Sequence, residues 1–94
     1  MAKIMLFEND NFGGRPAFVA TSDVANLHPF GFGDKVSSLV VIKGTWTLFD
    51  DRDYKGTRRT VSDSQGPDGD GVYPSPVDWG GANDRMSSIR RDSE

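Results

Sequence analysis

The chain has 94 residues, too little interior for two separate cores, and its 11 Gly and 5 Pro give it too many turns for a helical bundle. Eleven Lys and Arg against fourteen Asp and Glu leave a net charge of -3, which argues against a bulk electrostatic grip on nucleic acid or anionic lipid. The absence of Cys and the presence of a single His, His28, exclude a disulfide framework, a thiol nucleophile, a Cys-ligated zinc and any mechanism that needs two imidazoles.

In chain order, Lys3 to Glu8 and Arg15 to Ala20 read as short strands bounded by Gly and Asx residues. Ser22 to Leu27 offers a helical turn that His28-Pro29 stops. Ser37 to Lys43 is a strand whose continuous run Leu39-Val40-Val41-Ile42 predicts cover on both faces. Thr45 to Asp50 alternates, which sends Trp46 and Leu48 to one face and Phe49 to the other, and Trp46 and Trp79 read as core or corner residues. Thr57 to Ser62 follows, then a run of turn formers from Ser64 to Gly71. Val72 to Val77 is a Pro-bearing loop that either packs Tyr73 on the core or presents an aromatic surface to a partner. Ser87 to Arg91 is the last strand. Short strands at regular spacing predict an all-β sandwich or barrel. No apolar run approaches the roughly 20 residues of a membrane span. Glu8 interrupts the N-terminus too early for a signal peptide, so the expectation is a cytoplasmic chain or a domain excised from an exported one.

An internal repeat organises these segments. Leu6-Phe7-Glu8-Asn9-Asp10-Asn11-Phe12-Gly13-Gly14 recurs 42 residues later as Leu48-Phe49-Asp50-Asp51-Arg52-Asp53-Tyr54-Lys55-Gly56. Both copies read Leu, aromatic, acid, three polar residues, aromatic, any residue, Gly. Folding each hairpin back would stack its two rings, with Gly14 and Gly56 at a backbone angle that side chains avoid. A second pair, Gly33-Asp34-Lys35-Val36-Ser37-Ser38 and Asn83-Asp84-Arg85-Met86-Ser87-Ser88, is offset by 50. The second half therefore carries eight extra residues, placed within Ser64 to Gly71.

The second pair gathers a carboxylate and two hydroxyls just before a strand, with an amide as well in its Asn83 copy. These are hard oxygen donors of the kind calcium takes. A single copy would read as an Asx or Ser turn satisfying its own loop. Two copies, each following an acidic hairpin, point to metal.

These residues resemble a known family. Phe7-x4-Phe12-x-Gly14 with Ser37, and Phe49-x4-Tyr54-x-Gly56 with Ser87, are similar to the paired Greek-key motifs of the βγ-crystallin superfamily, and Ser22-Asp23-x-x-Asn26-Leu27-x-Pro29-Phe30 resembles its helical corner. The resemblance runs from Lys3 to Arg91. It implies one domain over 1–94, an antiparallel β-sandwich of two four-stranded sheets, with one Greek key over about 2–44, a second over about 45–91, and a tail at 92–94.

In the calcium-binding, largely microbial branch of that superfamily, two such motifs clamp two ions between the keys. The resemblance implies one site from the Glu8 and Lys35 carbonyls, the Ser37 hydroxyl and the Asp84 carboxylate. The other would use the Asp50 and Arg85 carbonyls, the Ser87 hydroxyl and the Asp34 carboxylate. Water would complete the six to eight oxygens of each shell. Gly33 departs from the pattern, which wants Asn or Asp there, so the two sites are expected to be unequal and the Ser37 site weaker. With about one carboxylate each, both should bind calcium modestly.

Other constellations fit less well. Asp68-Gly69-Asp70-Gly71 lacks the alternating ligands and distant Glu of an EF-hand. A Ser-His-Asp triad would have to use His28, beside Pro29 and away from any nucleophile-elbow sequence. Arg58-Arg59 and Arg90-Arg91 alternate faces and suit salt bridges better than nucleic acid. A packed domain of this size has little room for a sugar cleft between carboxylates. The sequence thus predicts a monomeric calcium-binding domain without catalytic activity, with an interaction module of inhibitor or toxin type as the alternative.

Overall fold

The structure is a computed structural model that describes residues 1–14, 16–80 and 86–93. Among them are seven strands: β1 (Lys3–Phe7), β2 (Phe18–Ala20), β3 (Ser38–Lys43), β4 (Thr45–Asp51), β5 (Lys55–Ser62), β6 (Val72–Tyr73) and β7 (Ser88–Ser93). All pairings are antiparallel. One sheet has the order β2-β1-β3-β6 and the other β5-β4-β7. β6 thus leaves its own half of the chain to pair with β3 of the other half. The reciprocal crossing is a single bridge, Val24 to Ile89, closed by two hydrogen bonds of 2.9 and 3.0 Å. That bridge stands where the fourth strand of the second sheet was expected.

Alternation builds the core. Ile4 and Leu6 of β1, Leu39 and Val41 of β3, Trp46 and Leu48 of β4 and Ile89 of β7 all point between the sheets and are buried. Trp79 and Tyr73 close the core from the second half. The Tyr73 phenol donates to the Ser62 carbonyl and accepts from the Ser62 amide, both at 3.2 Å, so it ties β6 to the end of β5. The Pro-bearing segment therefore packs its aromatic residue inward.

Two expectations are corrected. The run Leu39 to Ile42 is not covered on both faces: Val40 is half-buried and Ile42 is 49% exposed, because among the described residues no second layer covers the outer face of the four-stranded sheet. The helical turn does not occupy Ser22 to Leu27 but His28–Phe30, a 3-10 turn that Pro29 starts instead of stopping. Proline's fixed φ and missing N–H suit the first turn of a helix, while Val24 is drawn off into the bridge with Ile89.

Candidate metal site

Both repeated hairpins are stapled in the same way. Asn11 and Phe12 take φ of 55° and 63°, and Asp53 and Tyr54 take 59° and 61°. This tight left-handed turn lays Phe12 edge-on to Phe7 with centroids 5.3 Å apart, and Tyr54 edge-on to Phe49 at 5.7 Å. A buried serine then locks each turn. Ser38 Oγ donates to the Asn9 carbonyl at 2.6 Å and accepts the Phe12 amide at 3.0 Å. Ser88 Oγ does the same with the Asp51 carbonyl at 2.6 Å and the Tyr54 amide at 3.1 Å. The structural serine is thus the second of each Ser-Ser pair, not Ser37 or Ser87, with which the hairpins were paired in the sequence.

Ser87 is left to face the junction between the keys, and Ser37 is its counterpart in the first motif. Each is held by its own amide, which donates to the Phe7 carbonyl at 3.0 Å and the Phe49 carbonyl at 2.9 Å respectively. Strand alternation explains the division of labour: one serine turns to the hairpin and its neighbour turns away.

The Ser87 side is the fuller of the two. Asp34 lies in the left-handed region at φ 55°, and its amide donates to the Met86 carbonyl at 2.8 Å across the junction. There the Ser87 hydroxyl donates to Asp34 Oδ1 at 2.8 Å. Asp50 approaches from β4, where the ladder to β5 shifts register between Phe49 and Asp51 and leaves Asp50 without a partner. A bulge of this kind re-aims the chain beside a site. Asp34, Asp50 and Ser87 line one open cleft of about 430 Å³, together with Asn26, His28, Asp51 and Arg52. Three of the four residues expected at this site are thereby gathered; the fourth, Arg85, lies outside the described residues, as do Asn83 and Asp84.

For the other site, Ser37, Glu8 and Lys35 sit around the start of β3 and the end of β1. Glu8 is half-buried against Gly14, and the Trp79 indole donates to the Ser37 carbonyl at 3.2 Å. Its expected carboxylate, Asp84, is again outside the described residues. Among the described residues no three His, Cys, Asp or Glu side chains gather to hold a metal. A calcium site built as the family resemblance implies does not need them, since carbonyls and hydroxyls would supply most of its donors.

His28 was missed as a site residue. Its ring sits against Gly33 so closely that a Cβ at that position would lie 2.2 Å from the ring atoms. From there Nε2 reaches to 3.4 Å from Ser87 Oγ and 3.9 Å from Asp34 Oδ2. The signal was available: the one motif position that lacks a side chain falls five residues after the one histidine. These three residue types also compose a hydrolytic triad, but the wiring is wrong. A triad needs the carboxylate at Nδ1 and the hydroxyl at Nε2, and here both face Nε2 while the hydroxyl proton points to the carboxylate.

Comparisons with known proteins agree with the fold. The family model described as Beta/Gamma crystallin matches residues 3–91. A beta/gamma-crystallin of Ciona intestinalis is 41% identical over 91 residues, covering 97% of this chain and 99% of that protein. Human beta-crystallin B2 is 33% identical over 89 residues, which is 95% of this chain but 40% of its own length. Among solved structures, a beta gamma crystallin from Ciona intestinalis has a TM-score of 0.85 at 38% identity, covering 96% of this chain and 99% of that one. The repeated stapled hairpins, the strand exchanged between halves and these matches lead to one conclusion: the chain belongs to the βγ-crystallin family.

Proposed function

We propose that this βγ-crystallin domain binds two calcium ions at the junction of its Greek keys and uses them as clamps that stabilise the fold. The observation that carries the reading is the meeting of Asp34, from the first motif, with Ser87, from the second, in a cleft that Asp50 also lines. A carboxylate, a hydroxyl and the neighbouring carbonyls form a hard-oxygen donor set of the kind calcium prefers. Asp34, Ser87 and the Asp50 and Arg85 carbonyls would hold one ion. Glu8, Lys35, Ser37 and Asp84 would hold the other. Bound calcium supplies charge that gathers oxygens from both halves.

The function follows by linkage. An ion that binds the folded chain alone stabilises it by RT ln(1 + [Ca]/Kd), about 2.7 kcal/mol at a hundredfold excess over one site. Against the roughly 5–15 kcal/mol typical of a whole domain, that is a large share. Asp34 and Ser87 come from different halves, so the ion opposes their separation. This role is binding and not catalysis, in keeping with a triad-like cluster that is wired the wrong way.

Isothermal calorimetry of calcium into chelator-stripped protein, with a parallel thermal melt, tests the reading. Two binding events and a raised Tm are expected, and Asp34→Ala is expected to abolish one event and most of its stabilisation. Absence of heat and of any shift in Tm would overturn it.

A further inference from the structure

We infer that His28, Asp34 and Ser87 form a mixed nitrogen–oxygen site for a borderline divalent transition metal, of which zinc is the common representative. Three observations carry this. First, the three side chains approach one another at 2.8, 3.4 and 3.9 Å. Donors sharing one tetrahedral ion at bonds of about 2.1 Å lie about 3.4 Å apart. Second, the imidazole is aimed there by its surroundings. Its backbone amide donates to Asn26 Oδ1 at 3.0 Å, its carbonyl accepts the Gly31 amide at 2.9 Å, and its ring fills the space beside Gly33 that a side chain there would take. Third, His28 and Asp34 are both about half-exposed, so an ion can enter from the open cleft.

The donor chemistry sets the class of metal. Calcium coordinates oxygen and gains nothing from an imidazole, whereas zinc, cobalt and nickel take imidazole nitrogen together with carboxylate readily. The other half of the molecule lacks this donor. At the 50-residue offset of the two motifs, the position of His28 is taken in the second half by Asp78, whose carboxylate accepts from Ser75 Oγ at 3.1 Å. The substitution of Gly33 for the motif's usual Asn or Asp is therefore the companion of His28: the glycine makes room for a ring that carries a different donor to the site.

Competition between zinc and calcium for Asp34 and Ser87 rests on the calcium reading above; binding of zinc rests on the three donors themselves. With one strong nitrogen ligand and one carboxylate, the affinity is modest and water completes the shell.

The test uses the full chain without a histidine tag, titrated with Zn²⁺ and separately with Ca²⁺. Because the chain has one His and no Cys, a single imidazole reports the event. Its carbon-bound ring protons should shift in NMR on adding Zn²⁺. His28→Phe keeps an aromatic ring over Gly33 and removes the nitrogen. It should lower Zn²⁺ affinity at least about tenfold, since even loss of an outer-shell partner costs about 10–100-fold. Calcium affinity should change less than about twofold, and saturating calcium should raise the apparent Kd for zinc. Asp34→Asn should weaken both metals. Unmoved ring protons, or equal Zn²⁺ affinity in the wild type and His28→Phe, would overturn the site. If Zn²⁺ binds through His28 while Ca²⁺ binds nowhere, this proposal stands and the calcium reading falls. If Ca²⁺ binds and Zn²⁺ does not, the zinc site falls and the calcium clamp stands.

Discussion

The two Greek keys are near copies where the backbone is hardest to fold and differ where they face the cleft. Phe7, Phe12, Gly14 and Ser38 repeat as Phe49, Tyr54, Gly56 and Ser88, with the same edge-on rings, the same positive φ and serine bonds that agree within 0.1 Å. The cleft-facing corners are not copies. In the sequence, His28 and Gly33 of the first key stand where the second has Asp78 and Asn83. The outer faces differ as well. Val19, Met5, Val40 and Val72 lie in register across the outside of the four-stranded sheet. On the outside of the other sheet, Arg90 covers Phe49 with its guanidinium 5.4 Å from the ring centroid, Asp92 accepts from Arg90 at 2.9 Å, and Thr47 bonds to Asp92. Duplicated geometry therefore marks what a stapled hairpin demands, and divergence marks the surfaces that meet solvent or ligand.

The comparison breaks first in the core, where the effects are largest. Leu6 and Leu48 occupy equivalent positions and are buried to 0% and 2% exposure. Leu6→Ala and Leu48→Ala should each cost about 2–5 kcal/mol. Denaturant melts that place the two losses more than about 1.5 kcal/mol apart would show that the halves do not share the core equally. Next come the staples. Ser38→Ala and Ser88→Ala each remove two hydrogen bonds that lock a hairpin, at about 0.5–1.5 kcal/mol for each bond. Equal losses of Tm are expected. A near-neutral result for either would mean that its hairpin holds without the hydroxyl bridge.

The strands were legible because alternation and the repeat agree. Trp46 and Leu48 point inward and Phe49 outward, as their spacing requires, and the hairpin rings meet. The illegible parts depend on the exchange of segments between halves. Val24 is pulled out of a helical turn by a partner 65 residues away, and nothing local records Ile89. β6 is only two residues long, so no pattern could declare it. At the candidate site, the donors of the motif were readable from their chemistry, and Asp34, Asp50 and Ser87 do line one cleft. His28 went unread although Gly33, five residues on, was its signal, because its ring arrives beside Gly33 by way of a turn that proline starts.

Smaller effects separate the two hairpin glycines. Gly14 has φ 95° and Gly56 has φ 82°, and a Cβ would sit 2.9 Å from the Glu8 Cβ in one and 2.8 Å from Asp51 Oδ2 in the other. Gly14→Ala and Gly56→Ala should each cost about 1–2 kcal/mol from the left-handed backbone alone. Glu8 is a residue of one candidate site and Asp51 lines the cleft of the other, so Gly14→Ala should weaken one calcium event and Gly56→Ala the other. Equal calcium titrations of the two variants would remove that distinction.

The least costly change probes the exchanged segments themselves. In the second crossing Tyr73 reaches Ser62 with two hydrogen bonds, while the first crossing rests on the Val24–Ile89 bridge. Tyr73→Phe keeps the ring and removes the phenol, for an expected loss of about 1–2 kcal/mol. The pH dependence identifies the cause. Burial, with a smaller contribution from Asp63, pushes the Tyr73 phenol above its ordinary range, against the lowering effect of its bond to Ser62. A folded-state pKa raised above the unfolded value of about 10 means that the folded chain holds this proton more tightly. The stability this contributes is complete below about pH 10 and is lost as pH climbs through the raised folded value. Tyr54 is raised in the same direction, by burial and then by Asp23 and Asp53, so part of the alkaline loss belongs to the hairpin. Denaturant melts between about pH 8 and pH 12 should therefore show a shallower alkaline decline in Tyr73→Phe than in the wild type, with a further flattening in Tyr54→Phe. An unchanged decline in Tyr73→Phe would mean that the second crossing holds β6 by apolar packing alone, as the first crossing holds Val24 through its backbone bridge.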